Sequence, residues 1–161
     1  IEINNSNAPV SENKDDKDRS FNTSGPCIAN ITGYKSLLWH IDKGRLEASA
    51  GEGSVNIGYA TVENGKLGQV TRASAGHITS KMVEAEDGRL NVGWLKTRDG
   101  FIYEEVGKHL LKGDRMNYNG QTGLMLIQGT KDEPCLINGR ARAAYVEYNM
   151  KTGKITSQMS R

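Results

Sequence analysis

The sequence predicts an all-β domain, a sandwich or open roll. Three observations carry that reading. Short segments rich in Val, Ile, Leu, Thr and Tyr follow one another from Ile28 onward. Glycine paired with Asp, Asn or Lys punctuates them at places suited to hairpin turns. Within several segments the apolar residues fall at every second place, the period of a strand with one buried face. The 161 residues suffice for one ordinary domain.

The elements follow in order. Residues 1–27 read as a flexible tail or linker. A run of mixed charge from Glu12 to Arg19 and one aromatic, Phe21, leave nothing there with helical or strand period. The chain starts at Ile1, with no basic and apolar leader after it, so the expectation is a mature chain with any signal peptide already trimmed. Residues 28–161 read as a single β domain. Its turn signals are Asp42-Lys43-Gly44, Glu63-Asn64-Gly65, Glu86-Asp87-Gly88, Arg98-Asp99-Gly100, Asn119 to Gly123, Ile137-Asn138-Gly139 and Lys151-Thr152-Gly153. Asn-Gly and Asp-Gly suit turns because both residues tolerate positive φ.

Alternation places Leu46 with Ala48, and Leu90 with Val92 and Trp94, opposite Arg89 and Asn91. The same parity groups Met116 with Tyr118, and Val146 with Tyr148. The segment Glu104 to Leu111 fits a helical turn or a bent strand equally. A weak repeat is also present. Gly113 to Asn119, a turn and Gly123 to Ile127 are echoed by Ala143 to Asn149 and Lys151-Thr152-Gly153-Lys154-Ile155. His40 to Leu46 is a fainter copy. Stacked hairpins of this kind bury one continuous face.

Several function classes lose support. No run approaches about 18 apolar residues, so no transmembrane helix is expected. A net charge of +2 is too balanced to call for a nucleic-acid partner. His40, His77 and His109 sit in no metal or triad motif, and G-x-S-x-G and phosphate-loop patterns are missing. Glu104-Glu105 and Asp132-Glu133 are strand or edge neighbours that point apart, read as solvated residues rather than a catalytic dyad. These patterns point to no catalytic residue, no metal and no cofactor. Cys27 and Cys135 lack zinc spacing; either a long-range disulfide or two unpaired thiols fits.

The large apolar residues are spread thinly over many strands. Leu46, Leu90, Val92, Trp94, Met116, Tyr118, Met125, Ile127, Val146 and Tyr148 are candidates for one inward face. That face could close into a core or line a groove for acyl chains. The stretch from Arg140 to Arg161 carries five cations against Glu147. Arg140, Arg142 and Lys154 are candidates for contact with an anionic headgroup, beside the plainer reading of a solvated strand-and-turn face.

The segments Gly113-Asp114-Arg115-Met116-Asn117-Tyr118-Asn119 with Thr122-Gly123, and Ala144-Tyr145-Val146-Glu147-Tyr148-Asn149 with Lys151-Thr152-Gly153-Lys154-Ile155, resemble the OstA-like domains of lipopolysaccharide transport. The resemblance covers about residues 36–158. It implies an open β-jellyroll, a folded antiparallel slab, located in the periplasm. It further implies an apolar interior that holds lipopolysaccharide or another lipid, and end strands that pair with like jellyroll domains. The alternative is a β-scaffold with a closed core and no lipid cargo.

Overall fold

The structure is a computed structural model, which describes residues 2–4, 27–84, 86 and 90–159. Most of the stretch read as a tail, residues 5–26, lies outside the described residues, as do Asp87, Gly88 and Arg89. Residues Glu2–Asn4, inside that stretch, form a strand.

Sixteen strands are formed among the described residues: β1 Glu2–Asn4, β2 Cys27–Thr32, β3 Ser36–His40, β4 Arg45–Ser49, β5 Val55–Glu63, β6 Lys66–Ala75, β7 His77–Glu84, β8 Leu90–Arg98, β9 Phe101–Glu105, β10 His109–Gly113, β11 Arg115–Asn119, β12 Leu124–Gln128, β13 Cys135–Ile137, β14 Ala141–Ala143, β15 Tyr145–Asn149 and β16 Lys154–Gln158. They build two eight-stranded antiparallel sheets. Sheet 1 has the order β1-β2-β5-β6-β9-β10-β13-β14, and sheet 2 the order β16-β15-β12-β11-β8-β7-β4-β3.

From β3 onward, successive hairpins alternate between the sheets. The chain therefore changes sheet after every hairpin, at a row of corners. These corners bond to one another along the molecule. The N–H of Ala50 donates to the Gly76 carbonyl at 3.0 Å, that of Gly76 to Asp99 at 3.0 Å, and that of Gly100 to Asp114 at 3.0 Å. The row continues with Asp114 N–H to Gln128 at 2.8 Å, Gly129 to Ala144 at 3.1 Å and Ala144 to Gln158 at 2.8 Å. Backbone that leaves one sheet is thus paired before it enters the other, as a buried bend requires. The two sheets share this seam and face each other away from it, with the hairpin turns along two separate rims.

Arg98-Asp99-Gly100 is one of these corners, not a hairpin turn, since β8 lies in sheet 2 and β9 in sheet 1. Its positive φ values, 66° at Asp99 and 78° at Gly100, bend the chain as a hairpin would, so the local signal is the same. The Glu104 to Leu111 segment is two strands, β9 and β10, closed by the Lys108 N–H to Glu105 carbonyl bond at 2.9 Å.

The repeat has a concrete meaning. Asn119 Oδ1 accepts the N–H groups of Gln121 and Thr122 at 2.9 and 3.2 Å. Asn149 Oδ1 does the same for Lys151 and Thr152, both at 3.0 Å. Each Asn holds its own turn by a short side-chain bond. The two hairpins are neighbours in sheet 2 through β12 and β15, and the faint copy, β3–β4, ends the same sheet.

The core lies between the sheets. Val55, Ala75, Phe101, Tyr103, Leu111 and Cys135 from sheet 1 meet Ile78, Met116, Met125, Ile127, Val146 and Tyr148 from sheet 2, and each is at most 2% exposed. Inward positions alternate with outward ones, as in the exposed-buried-exposed-buried-exposed pattern of β11.

Candidate functional site

The inward face differs along the slab. Around β11, β12 and β15 it is tightly filled. Met116, Tyr118, Met125, Ile127, Val146 and Tyr148, six of the groove candidates, are at most 3% exposed and pack on one another. Toward β3, β4 and the start of β8 it loosens. Leu46 is half-buried beside Ser80, its partner across β4–β7, and Val92 is half-buried against the core. Leu90, near the β7–β8 tip, is 43% exposed. Trp39, opposite Leu46 on β3 and absent from the sequence-derived candidates, is 44% exposed.

Trp94 is not on the inward face. Between Lys81 and Met82 the register of β7 against β8 shifts, so that Lys81 pairs with Trp94 but Met82 pairs with Val92. This bulge places one extra residue on β8 and reverses its parity. Leu95 and Thr97 turn inward, 8% and 6% exposed, while Trp94 turns outward with Lys96 Nζ 5.4 Å from its ring centre. Unbroken alternation could not foresee the bulge.

The three headgroup candidates do not converge. Arg140 sits in the β13–β14 turn and Lys154 faces outward at the start of β16, both exposed. Arg142 faces outward on β14 and lines a cleft of about 440 Å³ on the outer face of sheet 1, with Lys112, Pro134 and Leu136. A second cleft on that face, about 520 Å³, is lined by Ile28, Val70, Arg72 and Ile102.

Cys135 is a free, buried thiol. Its Sγ donates toward the Ile127 and Ala144 carbonyls at 3.5 and 3.7 Å, and burial pushes its pKa up. Cys27 opens β2, five strand positions from β13 in sheet 1, about 24 Å away at the usual strand spacing. Disulfides need Cα atoms within about 7 Å, so of the two alternatives the unpaired one holds for Cys135.

A polar cluster inside the slab escaped the sequence. Glu104 is outward and pairs with Arg72 at 3.5 Å. Glu105 is inward, 4% exposed, and not a solvated edge residue. It accepts a 2.7 Å hydrogen bond from Tyr148 and an ion pair from Lys108. His109 lies edge-on to Tyr148 with centroids 5.6 Å apart, and Tyr103 is tilted against it at 5.7 Å. Burial, then the neighbouring Tyr148 and Glu105, push the Tyr103 phenol far above its usual pKa, while a bond to Thr71 works the other way. The only sequence signal was parity. Glu105 shares the face of Phe101 and Tyr103.

Two sheets joined at a seam, with strands added pairwise along a long axis and no closure into a barrel, define this architecture. The fold is an OstA-like open β-jellyroll. The structure of LptH from Pseudomonas aeruginosa, the LptA-homologous periplasmic component of the conserved lipopolysaccharide transport device, matches it with a TM-score of 0.56. Identity is 13%, and the match covers 89% of this chain and 86% of that one. At that identity the likeness is one of fold, and in fold it meets the resemblance carried by the Tyr-Asn and Thr-Gly segments. No protein-family model and no curated protein sequence matches this jellyroll chain.

Proposed function

We propose that this jellyroll is a non-enzymatic bridge module of a periplasmic lipid-transport system. It holds acyl chains of lipopolysaccharide or another lipid on its inward face and pairs with like domains through its end strands. The observation that carries this reading is how the sheets end. Sheet 1 is bordered by β1 and β14, and sheet 2 by β3 and β16. Each end of the slab therefore offers one strand from each sheet. A second jellyroll set end to end could extend both sheets at once, with backbone bonds supplying affinity.

The acyl path belongs to the looser part of the interior, along Trp39, Leu46, Val92 and Leu90. The six tightly packed candidates leave a lipid chain no room without parting the sheets. A photo-crosslinking residue at Trp39, Leu46 or Val92 is expected to capture lipopolysaccharide, and one at the outward Lys112 is not. Equal capture at all four positions, or none, would overturn the groove.

A second reading is favoured by the filled interior around Met125 and Val146, both 0% exposed. Here the jellyroll is a scaffold with a closed core. Native mass spectrometry with lipid A, lipopolysaccharide and phospholipids separates the two readings. A saturable lipid A adduct supports carriage, whereas dimer and trimer ladders without lipid support the scaffold.

A further inference from the structure

The strands on the outer face of sheet 2 carry more cations than anions. Arg45 and Lys81 are direct partners across β4 and β7. Lys96 and Arg98 follow along β8, and Arg115 opens the adjoining β11. Among the described residues Arg45 pairs with Glu47 at 2.9 Å, Arg98 with Asp99 at 3.8 Å and Arg115 with Asp114 at 3.6 Å, and Glu147 lies four strands away from β7. Lys81 and Lys96 have no anionic partner among the described residues. Like charges opposite each other on a sheet repel, so this face gains from an anionic surface laid against it.

Charge alone would fit any polyanion. Apolar groups in the same plane narrow the choice. Trp94 lies between the two lysines, with Lys81 across the strand and Lys96 stacked over its ring. Along the same row come Asn119 and then Leu124, 37% exposed. Val83, two residues beyond Lys81 on β7, is 41% exposed. Indole and aliphatic side chains interleaved with lysines match the headgroup zone of an anionic bilayer, which takes up both kinds of group.

We propose that the outer face of sheet 2 docks on an anionic phospholipid membrane. Lys81 and Lys96 meet lipid phosphates, while Trp94, Val83 and Leu124 enter the headgroup zone. This face is the opposite side of sheet 2 from the interior, so the proposal stands whether or not the interior carries lipid.

Flotation of the purified chain with vesicles free of lipopolysaccharide tests it. Vesicles of phosphatidylcholine mixed with phosphatidylglycerol are expected to carry the protein, pure phosphatidylcholine vesicles are not, and added salt weakens the binding. Removing two charges by Lys81→Gln with Lys96→Gln lowers the partition coefficient about thirty-fold. Arg72→Gln with Lys112→Gln, on the outer face of sheet 1, leaves it unchanged. In a Trp39→Phe variant, Trp94 is the remaining tryptophan, and its emission shifts to the blue on the anionic vesicles. Absence of flotation, equal flotation with neutral vesicles, or equal loss in both double variants overturns the proposal. So does capture of an acidic protein by this face without vesicle binding. Circular dichroism of each variant guards against reading misfolding as lost affinity.

Discussion

Tyr148 on β15 donates its hydroxyl to Glu105 on β9 across 2.7 Å, and so ties the two sheets together through the interior. Lys108, in the turn that follows β9, pairs with the other carboxylate oxygen. A carboxylate that is 4% exposed is tolerable only with such partners. The pair lies near the rim of sheet 1, away from the seam, where among the described residues no backbone bond joins the sheets. Its role is that of a clasp.

Tyr148→Phe removes one donor and leaves the buried carboxylate short of a partner. The expected loss of stability is about 2 kcal/mol, read from the urea midpoint. A change within error would mean that solvent or another donor already serves Glu105, and that the clasp does not hold the sheets.

Tyr103 makes stability fall in alkali. Its folded pKa lies above the unfolded value of 10.0, so below pH 10 its contribution is constant in full. Above pH 10 the unfolded chain loses this proton while the folded one keeps it, and stability drops by up to about 1.4 kcal/mol per pH unit. Urea titrations at pH 9 to 11 should therefore show a steeper decline for the native sequence than for Tyr103→Phe. Parallel declines would remove Tyr103 from the account.

Gly120, in the β11–β12 turn, donates to the Gly93 carbonyl at 2.9 Å, and a Cβ at this position would collide with the Val92 carbonyl. That atom is backbone and cannot step aside. Gly120→Ala should cost about 1–3 kcal/mol and broaden the amide signals of Val92 and Gly93. Unchanged stability and spectra would show that the turn does not rest on β8.

Cys135 should be inert while the chain is folded, because burial raises its pKa and hides the sulfur. In a Cys27→Ser variant, a thiol reagent at pH 8 is expected to label nothing natively and one cysteine in urea. Rapid native labelling would contradict the packing of β13.

Local chemistry made much of the fold legible. Turn residues marked most hairpins, and period-two patterns found the inward faces of β4, β11 and β15. The repeated Asn signalled two turns closed by the same side-chain bond. What stayed hidden depended on pairing. Arg98-Asp99-Gly100 bends as a hairpin would, yet whether the next strand returns beside β8 or crosses to the other sheet is decided by distant strands. The bulge that turns Trp94 outward exists only where β7 and β8 disagree in length. Glu105 reads as solvated until Tyr148, 43 residues later, is brought to it.

The sequence by itself determined an all-β chain of alternating strands and short turns, because strand period and turn chemistry are properties of neighbouring residues. The tertiary structure alone decided which hairpins share a sheet, where the interior is filled and where it loosens, and which cations gather on one outer face. Those depend on register and on contacts between residues far apart in the chain, and a single slip of one position exchanges inside for outside.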